Sequence, residues 1–256
     1  MRELGEWLIV VPARLASTRL PKKPLQDLCG KPLVIRVLEN LVFFQKTGAT
    51  LIAAVDNKET QTTVESFGYK CILTDPNHPS GTDRCLEVSR AYPNQTFILN
   101  VQGDEPFVAK EDLEHVVQTH ALNPYFEMVT LAFPNKNSQD FQNPHCVKAV
   151  CDEKGRALYF SRAPIPYLRE KEGNKAQTFL HHMGLYSFTQ KALQKFCTAQ
   201  PSKLETLECL EQLRALELGM HIQVVEAQKF CRGIDTPEDL ERARKEFESL
   251  EKSKIS

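Results

Sequence analysis

Apolar and polar positions along the first half of the chain fall into blocks of two alternating kinds. Trp7-Leu-Ile-Val-Val11 is a short unbroken apolar run ending at Pro12, the pattern of a parallel strand covered on both faces. From Pro32 to Gln45 the apolar residues recur at helical spacing, with proline in the first turn. The alternation continues as strand Thr50–Val55, helix Glu59–Phe67, strand Lys70–Leu73, helix Thr82–Tyr92, strand Thr96–Val101, helix Lys110–Asn123 and strand Phe126–Phe133. This βαβα order predicts an α/β fold with a mostly parallel sheet covered by helices. Ligands in such sheets bind beyond the carboxyl ends of the strands, so the polar loops after Val11 and Val101 are predicted to share a crevice.

Between Asn135 and Phe188 the texture changes. Short strand candidates at Val147–Cys151, Ala157–Ser161 and Met183–Phe188 are broken by Pro144, Pro164, Pro166 and a polar stretch near Glu170–Lys175. Residues 135–188 therefore read as an inserted or edge β-region, a lid or a subunit contact, within a single domain over 1–256. Helix is expected again at Thr206–Leu218, strand at Ile222–Glu226, and a charged helix from Thr236, opened by Asp235-Thr236-Pro237-Glu238.

Composition narrows the partners. With 41% hydrophobic and 25% charged residues the 256-residue chain is an ordinary globular one. Its net charge of −1 supplies no basic field for nucleic acid or an anionic membrane, so a bound anion must be held by a local cation cluster. The eight cysteines form no C-x-x-C pair and no zinc-like spacing. No run is long enough to span a membrane, and the first residues show no apolar leader, so a cytoplasmic location is expected.

Four polar clusters carry candidate chemistry. Arg14, Arg19, Lys22 and Lys23 crowd the loop after the first strand, stiffened by Pro21 and Pro24. Such cations suit a triphosphate and a departing pyrophosphate, or form a solvated basic loop. No G-x-G-x-x-G or G-K-[ST] loop is present, against dinucleotide and P-loop binding. Ser80, Gly81, Thr82 and Arg84 lie where a loop enters a helix and can meet a base edge or a phosphate, or simply cap that helix. Asp104, at the end of the Phe97–Val101 strand, suits Mg²⁺, as does Asp235; alternatively Asp104 begins a turn and Asp235 caps the last helix. Leu207, Glu211, Ala215 and Leu218 fall on one helical stripe, in which Glu211 is the sole carboxylate. It either meets a ligand or reaches Arg214 and the helix rim.

The chain closely resembles the 3-deoxy-manno-octulosonate cytidylyltransferases. The resemblance is carried by V-P-A-R-L-A-S-T-R-L-P-K-K-P-L at 11–25, H-P-S-G-T-D-R at 78–84, N-V-Q-G-D-E-P at 100–106 and Y-F-S-R-A-P-I-P at 159–166, then H-M-G-L-Y at 182–186, L-E-Q-L-R at 210–214 and G-I-D-T-P-E-D-L at 233–240. It implies a Rossmann-like nucleotidyltransferase sheet flanked by helices, with an inserted β-rich dimerisation region. It also implies transfer of CMP from CTP to the anomeric hydroxyl of 3-deoxy-D-manno-octulosonate (KDO) for lipopolysaccharide biosynthesis, Mg²⁺ as cofactor, and a homodimer. By the same resemblance Arg14, Ser17, Arg19 and Lys23 hold the CTP phosphates, and Ala13, Ser80, Gly81, Thr82 and Arg84 recognise cytidine. Asp104 and Asp235 bind the metal, while Gln102, Arg162, His182, Tyr186, Glu211 and Gln212 line the sugar site. Arg19, Lys23, Asp104 and Asp235 form the catalytic set. Two positions depart from the family: Lys22 stands where glycine is frequent, and His181 replaces another polar residue. The His181-His182 pair is not read as a metal site, because neighbours on a strand face opposite ways. A cytidylyltransferase for another acidic sugar, such as a sialic acid, is the nearest alternative; H-M-G-L-Y and L-E-Q-L-R favour KDO. A non-catalytic nucleotide-binding regulator is disfavoured because all four catalytic residues are present.

Overall fold

The computed structural model describes residues 4–167, 169 and 178–255, with side chains described to 251; the polar stretch near Glu170–Lys175 lies outside the described residues. The chain divides into two compact units, Met1–Val108 with Cys231–Ser256, and Ala109–Phe230. The division falls at Ala109, ahead of the change in texture at Asn135.

In the first unit the strands are β1 (Trp7–Ala13), β2 (Thr50–Val55), β3 (Cys71–Leu73) and β4 (Phe97–Asn100). They pair in the order β3-β2-β1-β4, all parallel, with β1 at the centre of three of these strands. Every residue of β1 is buried, which is why it reads as a continuous apolar run and not as an alternating one. Helices α1 (Leu33–Gln45), α2 (Lys58–Ser66) and α3 (Gly81–Arg90) make the crossovers. Helix α1 buries Leu33, Val34, Ile35, Val37, Leu38, Leu41 and Phe44, each side chain contributing roughly 1.5–3 kcal/mol. Asn57 caps α2 by accepting the Thr60 N–H at 2.9 Å, and Ser80 caps α3 by accepting the N–H groups of Thr82 and Asp83.

The second unit opens with α4 (Lys110–Leu122) and β5 (Met128–Asn135), followed by α5 (Ser138–Gln142), β6 (Lys148–Cys151) and β7 (Ala157–Ser161). It continues with β8 (Phe179–Thr189), α6 (Gln190–Thr198), α7 (Lys203–Glu208), α8 (Gln212–Glu217) and β9 (Ile222–Glu226). Strand β5 pairs with β8 antiparallel and with β9 parallel, while β6 joins β7 and β8. The strand predicted at Met183–Phe188 is therefore not an edge piece: it extends over Phe179–Thr189 and runs the full length of β5.

The helix predicted over Thr206–Leu218 is two short ones. Ser202 and Glu205 form a capping box that starts α7 earlier, and Cys209 ends it in the left-handed region at φ 51°. The chain closes with α9 (Pro237–Ile255), whose Leu240 and Ala243 pack with Leu20, Leu28, Leu33 and Ile234 in the first unit. That cluster clamps the segment before α9 against the basic loop.

Candidate active site

The loop after β1 has no regular structure until a single 3-10 turn at Lys23–Leu25. Arg14 and Arg19 are exposed, and Lys22 sits in the left-handed region at φ 51° with its ammonium 2.7 and 2.9 Å from the Glu59 carboxylate oxygens. That backbone conformation explains why a glycine is at home at this position. Lys23 points inward: its Nζ donates to Asp104 Oδ2 at 2.5 Å and to Asp235 Oδ1 at 2.9 Å. Arg19 approaches the same Asp235 oxygen at 3.0 Å. Burial pulls the Lys23 pKa down, but the charges and hydrogen bonds of Asp104 and Asp235 outweigh it and hold the ammonium above its usual value.

Backbone contacts bring the two aspartates together. The Gly103 N–H donates to the Pro12 carbonyl at 3.2 Å, and a Cβ on Gly103 would meet that oxygen at 2.6 Å, so the loop carrying Asp104 can lie this close to β1 only as glycine. The Ile234 N–H donates to the Asp104 carbonyl at 3.0 Å. Asp235 does not cap α9, contrary to the simpler of its two readings. Thr236 Oγ1 accepts the Asp239 N–H at 3.1 Å, and the Asp239 carboxylate accepts the N–H groups of Thr236 and Asp235. The Asp235 carboxylate is thereby left to the cations.

Two carboxylates converging on one cation suit Mg²⁺, which takes one or two carboxylates and completes its shell with phosphate and water oxygens. Among the described residues no group of three or more His, Cys, Asp or Glu could hold a metal by itself. Glu105, not singled out in the sequence, lies buried beside the pair. Burial first, and then the charges of Asp104 and Asp235, push its carboxyl up to about 8, so it is neutral at pH 7 and adds no third negative charge.

Of the residues assigned to cytidine, Ala13 is buried at the end of β1, and Ser80 is occupied as the α3 cap while its hydroxyl donates to Asp83 Oδ2 at 2.7 Å. Gly81 faces Pro12 and Gln102: a Cβ there would come within 3.1 Å of the Pro12 ring. Thr82 is buried and accepts from Asn100 Nδ2 at 3.4 Å; Asn100 in turn accepts from Gln102 Nε2 at 3.2 Å. Arg84 is turned inward and 1% exposed, its guanidinium bonded to Thr74 Oγ1 and the Asp75 carbonyl, each at 2.8 Å. Ser17 lines a cavity of about 420 Å³ with Leu15, Ala16, Pro21, Lys22, Asp56, Asn57 and Pro76.

Gln102 belongs to the first unit, and the other five sugar-site candidates belong to the second. Three of these form a directional chain. The Thr130 hydroxyl donates to the Leu185 carbonyl at 2.7 Å, so it must accept from His182 Nε2 at 3.0 Å. His182 therefore carries its proton on Nε2, and Nδ1 accepts the Gln212 amide at 3.4 Å; Gln212 Oε1 accepts the Tyr186 hydroxyl at 3.2 Å. Burial first, then the neighbouring His181, lowers the His182 pKa to about 3, keeping the ring neutral. Arg162 gives three donors to the carbonyls of Glu208, Pro144 and Cys209. Glu211 stands half-buried at the start of α8; the break at Cys209 dissolves the stripe it was assigned to, leaving Leu207 70% exposed and Ala215 buried. Arg214 pairs with Glu205, Nε to Oε2 at 2.7 Å, tying α8 back to α7.

A cytidylyltransferase family model matches residues 8–222. The 3-deoxy-manno-octulosonate cytidylyltransferase of Polynucleobacter necessarius subsp. necessarius (strain STIR1) is 42% identical over 242 residues, 93% of this chain and 94% of its own. That of Syntrophobacter fumaroxidans (strain DSM 10017 / MPOB) is 43% identical over 236 residues, covering 91% and 93%. Among solved structures, a CMP:2-keto-3-deoxy-manno-octonic acid synthetase complexed with CTP superimposes with a TM-score of 0.89 at 36% identity, covering 95% of this chain and 99% of that one. A cytidylyltransferase from Leptospira borgpetersenii, at 18% identity and a TM-score of 0.61, shares the fold.

Proposed function

The chain belongs to the cytidylyltransferase family, and on that premise we propose that it transfers CMP from CTP to the anomeric hydroxyl of KDO, releasing pyrophosphate. The observation that carries the reading is the meeting of Lys23, Arg19, Asp104 and Asp235 beyond the strand ends, in a chain similar over nearly its whole length to KDO cytidylyltransferases. The relatives' acceptor is KDO and not a sialic acid, so the sialic-acid alternative is not favoured. Supply of CMP-KDO for lipopolysaccharide biosynthesis follows from that acceptor.

Arg14, Ser17, Arg19 and Lys23 bind and orient the triphosphate. An ammonium has three donors, and the two carboxylates take two of those on Lys23, leaving one for a phosphate oxygen. Arg19 and Lys23 then neutralise charge on the departing pyrophosphate. Asp104 and Asp235 would hold Mg²⁺, which when bound supplies positive charge and Lewis acidity toward phosphate oxygens. Cytidine is read by Ala13, Ser80, Gly81 and Thr82, with Arg84 behind them. Arg162, His182, Tyr186, Glu211 and Gln212 hold the acceptor; His182 accepts or donates only as a neutral ring, and at least three of the five Arg162 donors are committed to backbone. No covalent intermediate is required: alignment of the sugar hydroxyl with the α-phosphorus and charge neutralisation supply the rate.

Pyrophosphate release, measured with CTP or UTP and a panel of acidic sugars, tests the assignment. CTP with KDO should exceed UTP by ~10²-fold or more in kcat/KM, since a mismatch at the 4-amino edge leaves buried partners unpaired. Comparable rates with UTP, or faster use of another sugar, overturn the corresponding half. The protein is further proposed to act as a cytoplasmic homodimer. Among the described residues no helix is long and apolar enough to cross a membrane, and the exposed Leu158 on β7 and Leu207 on α7 offer apolar surface to a second copy. Sedimentation equilibrium at micromolar protein decides this; a fully active monomer refutes it.

A further inference from the structure

Arg84 and Asp56 together link three segments of the first unit. The Arg84 guanidinium holds Thr74 Oγ1 and the carbonyls of Asp75 and Pro76, and lies 3.5 Å from Asp56 Oδ2. Asp56 follows β2, and its side chain is 7% exposed. Its other oxygen, Oδ1, accepts the Leu15 backbone N–H at 3.0 Å and Asn57 Nδ2 at 2.7 Å. Leu15 lies between Arg14 and Ser17 in the basic loop. Leu15, Ser17, Asp56 and Pro76 also line the same 420 Å³ cavity, so the loops meet around space that can admit a ligand.

We propose that Asp56 is a positioning residue for CTP, fixing the phosphate-binding loop through the Leu15 amide while Arg84 holds Asp56 in place. The inference rests on the cytidylyltransferase reading and deepens it. The basic loop has no ladder hydrogen bonds between Arg14 and Lys22, so its shape depends on a few tethers. A carboxylate accepting a backbone N–H makes a charge-assisted bond, stronger than a neutral one. Its burial is tolerated because Arg84 faces the second oxygen. Without the tether, the ordering of Arg14 and Ser17 falls on the binding step and weakens nucleotide affinity.

Calorimetric titration of the full chain with CTP and MgCl₂, without sugar, tests this alongside steady-state kinetics. The wild type must bind CTP; if it does not, the cytidylyltransferase reading fails and this inference with it. Given binding, Asp56→Ala should raise the Kd for CTP about tenfold or more. At saturating CTP its kcat should stay within about threefold of wild type, with an unchanged KM for KDO. Asp56→Asn keeps one acceptor for the Leu15 N–H but loses the charge that faces Arg84, so its Kd should lie between those of the wild type and the alanine variant. An alanine variant that binds CTP normally, one that loses sugar and nucleotide use alike, or an asparagine variant as weak as alanine overturns the proposal while leaving the family function intact. Should the alanine protein not fold, Asp56→Ser, too short to reach Leu15, takes its place under the same criteria.

Discussion

Asp235→Asn separates chemistry from architecture at the two-carboxylate site. The substitution keeps volume and an acceptor oxygen but removes one negative charge shared by Lys23 and Arg19. The side chains of Asp235 and Arg19 are 40% and 65% exposed, so their pair is screened by water and contributes only ~0–1 kcal/mol. The Lys23 contact is better shielded, yet Asp104 still holds that ammonium at 2.5 Å. The cap of α9 is untouched, because Thr236 and Asp239 form it. A loss near 1 kcal/mol in a chain of this size lowers Tm by about 2–4 °C. Activity should respond far more strongly. Removing one pre-placed electrostatic contact to the transition state costs ~10²-fold or more in kcat, and the Mg²⁺ concentration for half-maximal rate should rise with it. Thermal melts, pyrophosphate release across a magnesium series, and Mn²⁺ binding followed by electron paramagnetic resonance give three independent readouts. Normal kcat with normal magnesium dependence would refute a metal role for Asp235; a collapse in Tm would make it a structural residue.

Three further outcomes are expected. Glu211→Gln should raise the KM for KDO, lower kcat, or both, with CTP affinity unchanged by calorimetry; unaltered kinetics make Glu211 structural. Gly103→Ala places a methyl 2.6 Å from the Pro12 carbonyl, which should cost ~1–3 kcal/mol by urea titration and lower kcat by displacing Asp104; wild-type stability and rate refute the close-approach argument. Burial lowers the pKa values of His120 and His182 from 6.5 to about 4 and about 3. The unfolded chain therefore takes up protons first, and stability is complete above pH 6.5 and declines toward those lower values. At pH 5 each histidine costs about 2 kcal/mol, taking about 1.36 kcal/mol per pH unit. His120→Gln should flatten the urea-midpoint profile between pH 5 and 7 by about one proton; an unchanged slope refutes it.

The parallel strands and their crossovers were legible because a strand covered on both faces must be apolar throughout. Trp7–Val11 and Thr50–Val55 have no competing pattern. Helix α6 is nine residues long and directly follows the last residue of β8, so its signals, the Thr189 cap and the apolar face of Ala192, Leu193 and Phe196, span barely two turns beside a long strand. The helix expected over Thr206–Leu218 failed for a different reason. Apolar periodicity cannot register a single residue in the left-handed region, and Cys209 carries no glycine-like signal for it. Glu105 was invisible because its neutral state depends on burial and on charges contributed by Asp104 and by distant Asp235.

Local chemistry alone determined the order of strands and helices in the first unit, the helix entry at Ser80, and the family, since each depends on contiguous residues. What only the tertiary structure decided is which of those residues meet. Lys23 and Asp235 are 212 positions apart, and they touch because Ile234 and Leu240 pack against Leu20 and Leu28, while the Asp104 carbonyl accepts the Ile234 N–H. The same long-range packing assigned the α9 cap to Thr236 and turned Arg84 away from solvent onto Asp56. A side chain's partners follow from where the backbone brings its neighbours, and periodicity along the chain holds no record of that.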